Sequence, residues 1–252
     1  MNLIMLGAAA VVGGVLALAP LSGTQAQPGG DGQASSREAA PIDMTGYWVA
    51  VVTEDWRFRM VVPPKGDYDS VPLNAEGRRV ADAWDPARDA ATGEACRWYG
   101  AASIMSVPAR LRIAWEDEDT LRLDTDAGQQ SRAFHFGAEP PANLEASWQG
   151  FSQAEWRIRA GGMEPGSEAG GSLEVATSHM RSGYLRRNGV PYSADAKLTE
   201  YLYVLEDAPT TWLIVISVVE DPQYLTQPFV TSRQFKKQVD DSGWNPTPCS
   251  AS

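Results

Sequence analysis

A strand glutamate and two histidines are the side chains of this sequence best suited to proton transfer. His135 lies in an Arg-Ala-Phe-His-Phe run and His179 follows Thr-Ser, both within strand patterns. A neutral imidazole beside a carboxylate acts as a general base near neutral pH. If His135, His179 and Glu200 point into one cavity, they would suit a cofactor-independent lyase, isomerase or hydratase. Strand alternation, however, puts His135 on the face opposite to Arg132 and Phe134.

Aromatic side chains along the strands indicate an alternative to catalysis, which is ligand binding. Tryptophans and tyrosines with nearby arginines can stack on a flat or apolar molecule and anchor its polar end. The predicted lining residues are Trp115, Trp156, Tyr201, Tyr203, Arg110 and Arg132. Core packing would explain the same residues without a ligand. Glu155 and Glu200 also lie inside strand patterns and need partners if buried, for which Arg132 and Arg157 are the first candidates.

Other chemistries have no signal in the sequence. There is no Gly-x-Ser-x-Gly nucleophile motif, no glycine-rich phosphate loop and no dinucleotide fingerprint. Neither cysteine has a second thiol or a histidine at metal-ligand spacing. We therefore expect no cofactor and no metal.

The elements that would position these side chains are mostly strands. Alternating patterns predict them in segments 47–62, 111–115, 121–123, 131–136, 153–159, 172–179, 198–205, 211–220 and 229–237. A helix is predicted from the N-cap Asn74 to Trp84, before Asp85-Pro86. Because so many strands must bury one face and protect their edges, we expect an all-β, antiparallel meander. It would close as a barrel of about eight to ten strands with one or two short helices; a two-sheet sandwich is the alternative.

Composition predicts an exported domain. An apolar run from Leu3 to Ala19 and the small residues of Thr24-Gln25-Ala26 predict a signal peptide over residues 1–26, with an uncleaved anchor as the alternative. Residues 27–41 have a linker composition and predict a disordered tether, and 42–252 a single barrel domain. The net charge of -11 excludes nucleic acid as a favourable partner. We expect a periplasmic or secreted protein without membrane insertion after cleavage, in which the only two cysteines, Cys96 and Cys249, form a disulfide.

Two resemblances to known families sharpen the expected fold. Gly46-Tyr47-Trp48 in the first strand and Arg233 in the last resemble the signature of the calycin superfamily, which includes the lipocalins. This resemblance implies structural roles: Trp48 closes one barrel end and the Arg233 guanidinium stacks on its indole. Further blocks, spread over residues 44–249, resemble a large family of uncharacterised exported bacterial lipocalin-like proteins. Those blocks are Cys96–Gly100, Val107–Arg110, Trp148–Trp156, Leu198–Glu200, Glu220–Pro222 and Thr226–Pro228.

These observations predict a lipocalin-like barrel that binds a small, largely apolar or aromatic molecule in its interior. The second family has no established activity, so the resemblance implies architecture and export and assigns no catalytic residue. An acid–base enzyme on the same barrel is the first alternative. A structural envelope protein whose barrel is filled by side chains is the second, and the sequence leaves the oligomeric state open.

Overall fold

The computed structural model of the chain describes residues 34–159 and 170–251, and the predicted signal peptide lies outside them. Nine strands in this part of the chain form a closed barrel in the order β1-β11-β10-β9-β6-β5-β4-β3-β2. The strands are β1 (Gly46–Val51), β2 (Arg110–Trp115), β3 (Thr120–Thr125), β4 (Ser131–Phe136), β5 (Phe151–Arg159), β6 (Gly170–Ser178), β7 (Gly183–Arg186), β8 (Val190–Tyr192), β9 (Lys197–Asp207), β10 (Thr210–Glu220) and β11 (Phe229–Gln238). The predicted all-β barrel is confirmed.

Closure occurs where the first strand meets the last. Trp48 in β1 is opposite Lys237 in β11 on one side and Leu111 in β2 on the other. The sheet is therefore continuous around the barrel, and no strand of the nine is left at an edge.

Two features depart from a simple antiparallel meander. β4 and β5 pair in parallel, through Phe134–Phe136 and Ser152–Ala154, because the long connection 137–150 returns the chain to the end where β4 began. The two remaining strands, β7 and β8, form a separate hairpin between β6 and β9. Gly189 in the turn of that hairpin has φ +81° and a Cβ there would lie 2.3 Å from Trp84, so only glycine fits without strain.

Short helices cover one end of the barrel, and there are more of them than predicted. They are α1 (Trp56–Met60), α2 (Ala75–Asp82), α3 (Pro86–Ala91), α4 (Ala101–Ile104) and a 3-10 turn (Arg97–Tyr99). The strand predicted up to residue 62 ends at Val51, because Asp55 takes a left-handed conformation (φ 50°) and starts α1. The helix predicted from Asn74 is confirmed at its N-cap, but it ends at Asp82 since Asp85 caps a new helix.

We call the end of the barrel beneath these helices and the β7–β8 hairpin the covered end, and the opposite end the apolar end. Between them, inward-facing side chains fill the interior. The fully buried members include Trp48, Leu111, Ile113, Leu121, Leu123, Phe134, Leu173, Leu202, Leu213 and Phe235. The barrel is therefore closed by packing as well as by hydrogen bonds.

Two further segments fasten the chain to the barrel. The predicted disulfide is confirmed: Cys96, before the 3-10 turn, is bonded to Cys249, 153 residues later. Residues 34–41, predicted as part of a disordered tether, contact the apolar end instead, where Trp156 Nε1 donates to the Ser36 carbonyl at 2.7 Å.

None of the helices in the described ranges is long and apolar enough to cross a membrane.

Candidate functional site

Three arginines from distant segments surround one small cavity at the covered end. α1 contributes Arg59, the β7–β8 hairpin Arg186, and β11 Arg233, and their side chains are only 2%, 5% and 4% exposed. The cavity holds about 10 Å³, room for one water molecule or one ligand oxygen. Its other lining residues are Asp55, Phe58, Trp98, Ser106, Leu185 and Phe229. A site with buried cations and apolar walls results.

The protein satisfies only part of the hydrogen-bonding capacity of these guanidinium groups. Arg233 donates to Asp55 Oδ2 at 3.0 Å, to Ser106 Oγ at 3.1 Å and to the Ser232 carbonyl at 2.8 Å. Arg59 Nε donates to the Ser106 carbonyl at 2.9 Å. Arg186 donates to the Asp69 carbonyl, and its guanidinium lies 3.9 Å from the centre of the Phe58 ring. These contacts fix all three side chains in place.

Four buried donor atoms on the lining residues have no hydrogen-bond partner in the described part of the chain. They are Arg59 Nη1, Arg59 Nη2, Arg186 Nη2 and Trp98 Nε1. The nearest carboxylate to Arg59 Nη1, that of Glu54, is 3.8 Å away and makes no hydrogen bond to it. Glu54 Oε2 is likewise buried without a hydrogen-bond partner. Because buried donors without acceptors are costly, the four donors could bind an acceptor-rich group that reached the cavity.

The electrostatics of the site agree with the hydrogen bonding. Burial, and after it the charge of Arg233, lower the pKa of Arg59 to about 10. Burial is also the main cause that lowers the pKa values of Arg186 and Arg233, although Asp55 opposes it in both cases. Glu54 and Asp55 raise the pKa values of Arg59 and Arg233, but by less than burial lowers them. The nearby carboxylates therefore offset only part of the burial of these cations.

The barrel interior contains a second buried arginine cluster, which is internally paired. Arg132 Nη2 lies 2.6 Å from Glu200 Oε2, and the two side chains are 1% and 0% exposed. Ser152 and Thr177 accept further bonds from Arg132 Nη2 at 3.3 Å. Of the two strand glutamates expected to need a partner if buried, Glu200 is buried and pairs with Arg132, one of the two candidates. Glu155 is 66% exposed on the outer surface, where it lies 3.1 Å from Arg157. Arg132 Nε is buried without a hydrogen-bond partner in the described part of the chain, but Glu200 neutralises the guanidinium charge, so this cluster needs no added anion.

The structure does not assemble the predicted acid–base set. His135 lies on the outer face of β4, stacked on Phe151 with ring centres 4.7 Å apart. His179 follows β6 in an exposed position with φ 56°, and its Nδ1 is 2.9 Å from Ser178 Oγ. Glu200 points into the interior toward Arg132. The two imidazoles and the carboxylate therefore share no cavity.

The predicted ligand-binding residues are likewise dispersed. Trp115 and Trp156 meet at the apolar end with ring centres 6.4 Å apart, and both contact Phe136. Tyr201 and Tyr203 lie on the outer face of β9. Arg110 Nη1 is 3.8 Å from Asp126 Oδ2 and its side chain is 38% exposed, so it lines no interior pocket.

The calycin-like residues also have different partners from those that the resemblance implies. Trp48 is fully buried and donates from Nε1 to the Met44 carbonyl at 2.9 Å. The cation over its ring is Lys237, with Nζ 5.2 Å from the centroid. Arg233 instead joins the cavity at the covered end, because it lies nearer the start of β11.

Sequence reasoning did not identify Arg59 and Arg186 as functional candidates. Arg59 lies in a run of alternating residues that resembles a strand, and Arg186 in a hairpin that was not predicted. Only Arg233 could have been noticed from the local pattern, because alternation places this charged residue on the inward face of its strand, between Thr231 and Phe235.

Comparison with protein-family models, with curated proteins and with solved structures gave no match, so membership of the lipocalin-like family stays a prediction. Within the described ranges, no group of three or more His, Cys, Asp or Glu side chains is placed to hold a metal ion.

Proposed function

We propose that the protein binds a small organic anion, such as a carboxylate or a phosphate ester, at the arginine-lined cavity of the covered end. The observation that carries this proposal is the set of four buried donors without acceptors on Arg59, Arg186 and Trp98. An oxyanion supplies several acceptor lone pairs and a negative charge, which would satisfy the unpaired donors of Arg59, Arg186 and Trp98. Phe58 and Phe229, which line the cavity and are partly exposed, would contact the carbon part of the ligand.

The position of the ligand differs from the one that the sequence favours. Large apolar side chains occupy the interior, and each of five well-formed cavities in the described part of the chain lies at an end or on the outer surface. The volume at the arginines accommodates one ligand oxygen, so the remainder of the ligand would lie at the mouth of the cavity. An amphiphilic anion fits this arrangement better than a wholly apolar molecule.

The predicted export of the chain agrees with a role in binding a ligand outside the cytoplasm. The apolar run in residues 3–19 and the disulfide between Cys96 and Cys249 both favour the periplasm or the exterior. We therefore propose an exported small-molecule-binding protein.

Thermal unfolding in the presence of sodium acetate or sodium phosphate tests the proposal. An anion at about 100 times its Kd adds about 2.7 kcal/mol to the free energy of unfolding, which raises Tm by roughly 5–10 °C. Arg59→Met should abolish this rise. In anion-free buffer the same variant should be within about 1 kcal/mol of the wild type or more stable, because it removes a poorly compensated buried charge.

Arg157→Gln is the matched control, since Arg157 is 51% exposed on the outer surface and reports general salt effects. It should retain the anion-dependent rise. An equal rise in the wild type and in Arg59→Met would contradict the proposal. So would a large loss of stability in Arg59→Met without anion, because that result would make Arg59 a structural residue.

A structural envelope protein is the second candidate function, and the close packing of the interior is the observation that favours it. In that case the arginine cavity would hold only water. Neither acetate nor phosphate would then change Tm differently in the wild type and in Arg59→Met.

A further inference from the structure

The outer faces of β9 and β10 carry an uncharged, largely apolar surface. Alternation points every second residue outward, and the register places these residues in four cross-strand pairs. The pairs are Leu205 with Trp212, Tyr203 with Ile214, Tyr201 with Ile216, and Thr199 with Val218. We call these eight residues the β9–β10 face.

All eight residues of this face are at least partly exposed in the described part of the chain. Leu205 is 51% exposed and Tyr203 39%. The outward residues of β10 belong to neither of the two buried clusters, nor to the apolar residues packed against them. A contiguous apolar surface on a folded protein marks an interaction site more often than chance.

Other outer faces of the barrel are charged, which makes the contrast informative. On β2 and β3, Asp124 pairs with both Arg112 and Arg122 at 2.7 and 2.8 Å. On β5 and β6, Arg157 pairs with Glu174 at 2.7 Å. Depletion of charge is the compositional mark of the centre of a protein–protein interface.

We propose that two copies of the chain associate through the β9–β10 face. The row of β10 side chains runs from large Trp212 to small Val218, and is therefore self-complementary. A twofold axis perpendicular to the strands would place Trp212 opposite Val218 of the partner subunit and bring the isoleucines together.

The area of the surface and the net charge of the chain favour a second copy of the chain as the partner that binds the β9–β10 face. β10 has 11 residues, so together with β9 and the flanking strands β6 and β11 it presents roughly 37 by 19 Å, or about 700 Å² per subunit, with Glu174 of β6 and Lys236 of β11 at the charged rim. A standard interface buries about 800 Å² per partner. With a net charge of -11, two chains repel over most of their surfaces, and an uncharged face is where they can meet with least repulsion.

Sedimentation velocity on the full chain, up to roughly 100 µM, tests the dimer. The wild type should sediment at twice the chain mass. Ile214→Glu puts a charge at the centre of the face and should give a monomer. Ile214→Thr keeps a β-branched side chain for folding and should raise the dimer Kd at least about tenfold.

Ala133→Glu is the matched control. Ala133 lies on the outer face of β4 opposite Arg122, across the barrel from β9 and β10, and this variant should stay dimeric. A wild-type monomer at the highest concentration overturns the proposal and leaves lipid, or residues 3–19 of the same chain, as the occupant. A dimer that persists unchanged in Ile214→Glu and Ile214→Thr overturns it as well.

Discussion

The two ends of the barrel are closed by different kinds of side chain, aromatic at one end and charged at the other. At the apolar end, Trp115, Phe136 and Trp156 pack against one another. The indole Nε1 of Trp156 donates a hydrogen bond to the Ser36 carbonyl. At the covered end, Arg59, Arg186 and Arg233 are buried around a cavity, with donors left unpaired. Packing alone accounts for the first end. It does not account for the second, because an apolar cap would close the barrel without burying three cations.

This difference favours the covered end as the ligand-binding part of the molecule. Buried, incompletely satisfied polar groups are rare in folded proteins and each one needs an explanation. The interior pair Arg132–Glu200 shows that this chain can neutralise a buried arginine when only structure is required. At the covered end Arg233 pairs with Asp55, but in the described part of the chain Arg59 and Arg186 have no hydrogen-bonded carboxylate, which is why we propose the binding site there.

Removal of the disulfide should have the largest effect and should act on the covered end. The double variant Cys96→Ser with Cys249→Ser opens a loop of more than 150 residues, worth roughly 4–5 kcal/mol in the chain-entropy model, or roughly 10–15 °C in Tm. Trp98, which lines the cavity, is two residues from Cys96, so anion binding should weaken too. Calorimetry measures both quantities; an unchanged Tm would show that the bond does not stabilise the fold.

Trp48→Ala should be almost as destabilising, yet leave the binding site intact. The indole is fully buried, and its truncation should cost about 3–5 kcal/mol in the free energy of unfolding. Because Trp48 lies toward the opposite end from the arginines, the anion-dependent rise in Tm should persist. Urea unfolding with and without acetate separates the two effects. Selective loss of the acetate effect would move Trp48 from scaffold to site.

Tyr184→Phe should give the smallest effect on stability, and the pH dependence of that effect should appear only above about pH 10. Burial, then the hydrogen bond to Asp89, raise the pKa of Tyr184 to about 12, while Arg97 opposes the shift. The unfolded phenol ionises near pH 10, so the folded state binds more protons between about pH 10 and 12. Its stabilising contribution is complete below pH 10 and is lost as pH rises to 12.

Absorbance at 295 nm checks this expectation. In the folded wild type, the Tyr184 phenol should remain protonated at pH 11. Tyr184→Phe should leave the absorbance change up to pH 11 unaltered and reduce the change above it. If the substitution removed a tyrosine that ionises near pH 10, the raised pKa would be refuted.

The strands and their closure were predictable because alternation is a local signal. All of the predicted strands from residue 111 onward occur, and Arg132 with Glu200 followed from the need to pair a buried carboxylate. The parallel pairing of β4 with β5 was not predictable, since it depends on the path of the connection 137–150. The strand pattern at Trp56–Met60 was misleading, because tertiary packing of Arg59 overrides local alternation there.

The candidate site was largely beyond the reach of sequence reasoning. Arg59, Arg186 and Arg233 are separated by more than a hundred residues from first to last, and no spacing rule links them. The aromatic residues predicted a pocket in the interior. Tyr201 and Tyr203 instead lie on the outer face of the barrel, and Trp115 and Trp156 pack together at its apolar end. Only the folded chain reveals which arginines lack partners.

The most direct test is native mass spectrometry of the full chain, isolated in low-salt volatile buffer, with released small molecules identified. We predict one organic anion per chain in the wild type and in Arg157→Gln, and none in Arg59→Met. Retention of the same molecule by Arg59→Met would contradict the account. So would the absence of any bound anion in all three proteins after acetate and phosphate have been added.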